Sequence, residues 1–183
     1  MNKRAFLVLS TVSFLLTASA VNAQKNKPVS SMKVSSQSFT NGDTIPKEFT
    51  ADGIDVSPPL KWSKAPEGTR SLALTCEDPD APRGTWFHWI IFNMPSDKTS
   101  LEKDIKKNPK LTEGTVQGTN DFRKIGYNGP SPPKGPKHHY NFKVFALKKK
   151  LDLKPGCSKL QFYKAIQGNV LGKGVLTGTY QRL

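Results

Sequence analysis

The sequence has few of the residues and motifs on which enzyme and metal sites commonly depend. It holds two cysteines and three histidines in 183 residues. It contains no H-E-x-x-H, G-x-S-x-G or C-x-x-C motif, so the common metalloprotease, serine-hydrolase and dithiol patterns do not apply. Zinc-finger spacing and RNA-binding motifs are also absent, which argues against a nucleic-acid partner.

The N-terminal residues have the pattern of a secretory signal peptide. Lys3 and Arg4 form a positive start, residues 5–16 are mostly apolar, and Val21-Asn22-Ala23 is a cleavage site of small residues. Ala18-Ser19-Ala20 is a competing cleavage site, and an uncleaved N-terminal anchor is the alternative to export.

Beyond this segment no stretch is apolar enough to span a bilayer, so we expect no transmembrane segment in the mature chain. The predicted organisation is a signal peptide over 1–23, a flexible lead-in over 24–32 and a single domain over 33–183. Export places the predicted domain in the periplasm or outside the cell.

Acidic residues are scarce. The chain has 14 Asp and Glu against 28 Lys and Arg, which gives a formal net charge of +14. Lysines crowd residues 98–110 and 148–154. Such runs are usually solvated surface, and the alternative is attraction to an acidic membrane surface or to acidic partners.

The two cysteines, Cys76 and Cys157, leave two interpretations open. An oxidising compartment allows a disulfide between them. Cys76 lies in an apolar strand-like run and Cys157 in a predicted turn, and a buried free thiol suits Cys76 at least as well.

Hydrophobic patterning predicts a mainly β protein. Strand-like runs cover residues 70–76, 86–93, 139–147 and 174–183, with a weaker alternation over 32–39. Because these runs do not alternate with helices, the pattern favours an antiparallel β-sandwich with a few peripheral helices.

Alternation assigns side chains to faces. One predicted face of the aromatic strand carries Trp86, His88 and Ile90, and the other carries Phe87, Trp89 and Ile91. One face of the following long strand carries Tyr140, Phe142, Val144 and Ala146. The one convincing helix follows the N-cap Ser158, with Leu160, Tyr163, Ile166 and Val170 at helical spacing.

The densest acidic cluster, Cys76-Glu-Asp-Pro-Asp-Ala-Pro82, follows a predicted core strand. Asp residues in a polar turn would explain it, and carboxylates held beside a binding site are the alternative. His88 lies in the aromatic strand, and His138 and His139 open the next one. A core-facing histidine is often only structural, but one paired with a carboxylate stays cationic and can donate to an anion.

These residues belong to a series of motifs that resembles the phosphatidylethanolamine-binding protein family, also called Raf kinase inhibitor-like proteins. The matching segments are Asp52-Gly-Ile-Asp-Val-Ser-Pro-Pro-Leu-Lys-Trp62, Pro66-Glu-Gly-Thr69, Asp78-Pro-Asp-Ala-Pro82, Trp86-Phe-His-Trp89, Asn93-Met-Pro95, Gly129-Pro-Ser-Pro-Pro-Lys-Gly135, His138-His-Tyr140 and Leu176-Thr-Gly-Thr-Tyr180. The resemblance covers about residues 33–183 and points to the bacterial periplasmic branch.

The resemblance implies a large β-sandwich with a small anion-binding pocket at one end. The pocket residues that it implies are Asp78, Asp80, Trp86, His88, Pro132, Pro133, His138 and Tyr140. Asp78 or Asp80 would orient the histidines and keep them charged, while His139 would face outward. We also expect a cis Ala81–Pro82 bond in this stiff turn, and the bacterial relatives imply a homodimer.

Three functions fit these expectations. The first is a non-enzymatic protein that binds a small anion, such as phosphate or a phospholipid headgroup, without a cofactor. The second is a secreted inhibitor or regulator of a protease or signalling protein. The third, and weakest because no nucleophile can be assigned, is a hydrolase or a metal-dependent enzyme that uses the Asp and His residues.

Overall fold

Short runs of apolar and β-branched residues build a sandwich of two sheets in residues 28–183, the part of the chain that the computed structural model describes. The strands are β1 (Ser30–Ser31), β2 (Val34–Ser35), β3 (Leu60–Trp62), β4 (Ser71–Asp78), β5 (Trp86–Met94), β6 (Ser100–Leu101), β7 (Val116–Gln117), β8 (His138–Leu147) and β9 (Val170–Tyr180). One α-helix, α1 (Lys159–Ile166), and two 3-10 turns, Lys47–Phe49 and Thr112–Gly114, complete the described elements.

The larger sheet has the strand order β1-β9-β8-β4-β5-β7, and the smaller has the order β2-β3-β6. Every neighbouring pair is antiparallel except β1 and β9, which run parallel. The prediction of a mainly β sandwich is therefore confirmed. The predicted signal peptide lies outside the described residues.

Strand β1 lies within the segment predicted to be a flexible lead-in. Ser30 pairs with Gly172 and Ser31 with Lys173 at the edge of the larger sheet, and Met32 is buried in the core. Residues 30–32 of the predicted lead-in thus pair with β9 and reach the core, although the two serines carry no strand pattern in the sequence.

Two apolar cores lie on opposite faces of the larger sheet. The first fills the space between the sheets and includes Tyr140, Phe142, Val144 and Ala146. The second lies under α1 and includes Phe145 and Leu147 of the same strand. The predicted alternation of β8 is therefore confirmed.

Cys76 and Cys157 are both free and buried. Cys76 lies in the first core and Cys157 in the second. Because the larger sheet separates them, the disulfide alternative is wrong.

Helix α1 is shorter than its apolar spacing predicts. Ser158 caps it as expected, since its side chain accepts from the Gln161 N–H and the Gln161 side chain accepts from the Ser158 N–H. The helix ends at Ile166 because Gly168 adopts a φ of 71°, which turns the chain into β9. Val170, which the spacing placed in the helix, is thus a strand residue, and Leu160 at the start of the helix is 77% exposed.

A buried carboxylate joins β4, β8 and α1 on the second-core side. Glu77 accepts hydrogen bonds from the Thr75 hydroxyl, the Tyr163 hydroxyl and the Lys143 ammonium. Glu77 lies within β4, one residue beyond the strand-like run of the sequence, and is buried. With three donors, the charge is satisfied in a place that water barely reaches.

Replacing Lys143 with Met should lower the free energy of unfolding by about 2 kcal/mol at neutral pH, because Glu77 would keep its burial but lose its cation. Urea denaturation of Lys143→Met and of Lys61→Met, an exposed lysine on β3, measures this. Equal effects of the two changes would contradict the prediction.

Candidate functional site

The ends of β4, β5 and β8 surround a small cavity. Six of the eight predicted site residues line it, namely Asp78, Trp86, His88, Pro132, Pro133 and His138, and Ala81, Pro82, Phe122 and Ser131 complete its wall. Its volume is about 200 Å³, which is below the roughly 300–1,000 Å³ of pockets for drug-sized ligands. The cavity therefore has room for a small group rather than a large one.

His138 is held by direct pairing with a carboxylate. Its Nδ1 lies 2.8 Å from Oδ2 of Asp78, and both side chains are buried. The other oxygen, Oδ1, accepts the backbone N–H of Asp80 at 2.9 Å. Because an ionised Asp78 can only accept, Nδ1 of His138 carries the hydrogen and Nε2 is left for a ligand.

His88 is held differently. Its Nδ1 lies 2.7 Å from the carbonyl oxygen of Asn128 and 3.1 Å from that of Gly129. Burial lowers the pKa of His88, although these carbonyls and the Asp78 carboxylate oppose the shift. The prediction that a carboxylate pairs with and charges both histidines is therefore wrong for His88, whose neutral form is favoured at neutral pH.

A β-bulge aims His88 at the cavity. Cys76 of β4 pairs with Trp89 and Glu77 pairs with Phe87, so His88 is the extra residue on β5. A bulge of this kind puts two successive side chains on one side of the sheet, and His88 accordingly packs against Tyr140 of the first core.

The same bulge overturns the simple alternation that was predicted for β5. Trp89 and Ile91 belong to the first core, whereas Phe87 and Ile90 belong to the second. Sequence alternation assigned Phe87 and Trp89 to one face because it cannot register an inserted residue.

Asp80 lies outside the cavity. Its Oδ2 accepts both the backbone N–H and the Nδ1–H of His139 at 2.7 Å, and the side chains of Asp80 and His139 are 40% and 52% exposed. Partial burial pushes the pKa of Asp80 upward, but the bonds from His139 lower it overall. The structure does not bring Asp80 to the cavity, because Asp80 lies beyond the end of β4, and His139 faces outward.

Tyr140 lies behind the cavity wall. Its ring packs edge-on against His88 with 5.2 Å between centroids, and its hydroxyl has no hydrogen-bond partner within residues 28–183. Burial and the nearby Asp78 carboxylate raise the pKa of Tyr140, so the phenol remains a donor. A buried hydroxyl without a partner is unusual and costly, and it marks a place suited to a water or ligand oxygen.

The turn between Asp78 and Trp86 is built without a cis bond. No peptide bond in the described residues is cis, so the expectation for Ala81–Pro82 is wrong. The Gly84 N–H donates to the Ala81 carbonyl, and Gly84 has a φ of 90°. Glycine conformation thus closes the turn where a cis proline was expected.

Sequence reasoning missed two residues that support the cavity. Asp55 accepts the Gly129 N–H at 2.6 Å, although its motif gave it no role. Arg182 donates to the Pro132 carbonyl at 3.1 Å and pairs with Asp52, which anchors the proline wall. The sequence offered only weak indications of these roles: Asp55 lies within a matching motif, and Arg182 lies two residues after one.

A metal site that uses Asp78, Asp80, His88 and His138, the third function considered from the sequence, is not assembled in the described residues. Asp80 turns to His139, and no group of three or more His, Cys, Asp or Glu residues in residues 28–183 is arranged to hold a metal ion. The same part of the chain contains no helix that is long and apolar enough to cross a membrane.

The fold and the cavity define a β-sandwich protein with a small, largely apolar pocket at one end of its central strands, into which two histidines and an aspartate project. The family model described as "Phosphatidylethanolamine-binding protein" matches residues 35–181, and the chain belongs to this family.

Several relatives resemble the chain over most of its length. A UPF0098 protein of Methanothermobacter thermautotrophicus is 46% identical over 151 residues, covering 82% of this chain and 99% of the relative. The UPF0098 protein YbcL of Escherichia coli is 38% identical over 180 residues, covering 96% of this chain and 97% of the relative.

Two solved structures are also similar. The crystal structure of Escherichia coli YbcL, described as a member of the mammalian PEBP family, superposes with a TM-score of 0.78 at 36% identity, covering 83% of this chain and 99% of that one. The phosphatidylethanolamine-binding protein homolog CT736 of Chlamydia trachomatis has a TM-score of 0.75 at 35% identity, covering 84% of this chain and 99% of that one.

Proposed function

We propose that this protein is a non-enzymatic binder of a small anionic group, such as phosphate or the phosphate of a lipid headgroup, in the cavity between His88 and His138. The observation that carries the proposal is the pair of imidazoles. Each has its Nδ1 occupied by a protein acceptor, and each ring lines the cavity, so two Nε2 atoms remain for one ligand.

The protonation state decides what these Nε2 atoms offer. An imidazole whose Nδ1 carries the hydrogen presents Nε2 as an acceptor when neutral and as a donor when charged. An anion therefore binds best when an imidazole is protonated, or when the anion brings a proton of its own. Tyr140 does not line the cavity, so the two imidazoles carry the proposal without it.

Affinity for sulfate should rise as the pH falls from about 8 to about 5, by up to about tenfold per pH unit above the His88 titration midpoint. Sulfate keeps its charge throughout this range, so the change reports on the protein. The cause is the burial-lowered pKa of His88, which an anion at Nε2 would raise. Isothermal titration at several pH values measures it.

His88→Asn should flatten this pH dependence. His139→Asn removes a half-exposed imidazole outside the cavity and should leave the pH dependence of sulfate affinity unchanged. A sulfate affinity that does not change with pH in the unsubstituted protein would contradict this prediction.

The proposal itself is tested by nuclear magnetic resonance titration with inorganic phosphate, with phosphoethanolamine and with phosphatidylethanolamine vesicles. Binding should perturb the signals of His88, His138 and Asp78. A response to both soluble probes but no vesicle binding identifies a free phosphate group as the ligand, whereas preferential vesicle binding identifies the headgroup. If none of the three probes perturbs these signals, the proposal fails.

A further inference from the structure

The two cavity histidines differ in how their Nδ1 atoms are connected to a carboxylate. Asp78 contacts His138 directly, whereas His88 contacts the carbonyl oxygen of Asn128. That carbonyl belongs to the same peptide group as the Gly129 N–H, which donates to Oδ1 of Asp55 at 2.6 Å. Imidazole, peptide group and carboxylate therefore form one hydrogen-bonded line.

Asp55 is held in place for this contact. Its Oδ2 accepts from the Asn128 side-chain amide at 2.9 Å and from Lys107 Nζ at 3.0 Å. Its backbone has a φ of 63°, a conformation that Asp tolerates better than most residues do. Three donors thus fix the carboxylate against the Asn128–Gly129 peptide.

The peptide group has no freedom to turn away. A Cβ at Gly129 would lie 2.2 Å from the Phe49 carbonyl oxygen and 2.7 Å from Thr50 Cα. The Asn128 N–H donates to the His88 carbonyl at 3.0 Å, so His88 and Asn128 are bonded through backbone and side chain. The line from His88 to Asp55 is accordingly rigid.

A carboxylate at the N–H end of a peptide group polarises it. The polarised carbonyl oxygen then accepts more strongly, and hydrogen bonds connected in this way strengthen one another. A stronger acceptor at Nδ1 favours the imidazolium form, because that form donates the better hydrogen bond.

We propose that Asp55 is a positioning residue that sets the proton affinity of His88 through the Asn128–Gly129 peptide, and thereby sets how tightly the cavity holds an anion. The effect of Asp55 on the proton affinity of His88 is argued from the geometry alone. The effect on anion affinity rests on the proposed anion-binding function. Asp55 does not touch the cavity and acts through the loop.

Other charged and titratable groups surround His88, and the test has to separate Asp55 from them. They are Asp78 on β4, His138 and Tyr140 on β8, and Lys107, which shares the Asp55 carboxylate. Asp78 and His138 pair with each other, and Tyr140 stays neutral, so Asp55 and Lys107 are the two groups to vary.

In ligand-free protein, Asp55→Asn should lower the His88 titration midpoint by roughly 0.5–1 pH unit, measured by ¹⁵N imidazole resonances. The Gly129 amide proton should move upfield because it loses a charged acceptor. Asp104→Asn is the matched control, since Asp104 also has a positive φ, of 60°, and pairs with a lysine, Lys106. It should leave the His88 midpoint unchanged.

Lys107→Met should move the midpoint in the opposite direction. It removes the cation that partly neutralises Asp55, so the His88 midpoint should rise. General loosening of the loop would shift both variants the same way, and opposite shifts therefore separate charge from structural damage. Thermal unfolding checks that each variant is folded.

Unchanged His88 midpoints in both folded variants, or shifts of the same sign, would overturn the proposal. Phosphate is then added to the same samples at about pH 6, where affinity should fall about three- to tenfold in Asp55→Asn if the midpoint shift is passed on to binding. If the midpoints move as expected but no variant binds phosphate, the role of Asp55 stands and the anion-binding function fails.

Discussion

Replacing Asp78 with alanine should weaken the binding of inorganic phosphate at least about tenfold and lower the free energy of unfolding by about 3 kcal/mol. Asp78 is buried and accepts from His138 and from the Asp80 N–H. Its loss would leave the His138 Nδ1–H and a backbone N–H without acceptors. It would also let His138 rotate, so that Nε2 no longer faces the cavity.

Asp80→Ala is the matched control, because it removes a carboxylate–histidine pair in the same turn. The Asp80–His139 pair is partly exposed, and such pairs contribute about 0–1 kcal/mol. Phosphate titration by nuclear magnetic resonance and urea denaturation measure both variants. If Asp80→Ala weakened phosphate binding as much as Asp78→Ala, the division between the two aspartates drawn from the structure would be wrong.

Gly129→Ala should destabilise the protein by about 3 kcal/mol and abolish measurable phosphate binding. The added methyl group would lie 2.2 Å from the Phe49 carbonyl oxygen, and backbone atoms cannot move aside as a flexible side chain can. The loop would have to shift, which breaks the Asp55 contact to Gly129 and the carbonyl contacts to His88 together.

Gly42→Ala separates crowding from backbone strain. Gly42 has a φ of 91°, and an added Cβ there meets nothing within 4 Å, so the change costs about 1–2 kcal/mol through conformation alone. It should leave phosphate binding unchanged. Thermal unfolding and phosphate titration of the two variants test this, and intact binding in Gly129→Ala would show that the loop tolerates displacement.

Regular strands could be predicted from the sequence because the alternation of their side chains depends only on neighbouring residues. Residues alternate along β8 in the sequence as they do in the structure, since each side chain either enters the first core or leaves it. The N-cap Ser158 was predictable for the same reason, because capping involves only residues a few positions apart.

Predictions failed where an irregularity of the backbone interrupted the regular spacing of side chains along a strand or helix. The bulge at His88 inserts one residue into β5, and a helix-like spacing around Val170 ran past the turn at Gly168. Each irregularity depends on the partner strand or the turn beyond it. Periodicity within one segment cannot register either effect.

The chain by itself determined the class of fold, the family and most of the residues that line the cavity, because periodicity and ordered motifs are properties of local sequence. Only the tertiary structure decided which acid meets which histidine. Asp78 reaches His138 across 60 residues, and Asp55 reaches Gly129 across 74. Such pairings depend on how distant strands and loops pack together. Two aspartates of one motif, Asp78 and Asp80, are separated only by Pro79 and yet lie on opposite sides of the cavity wall.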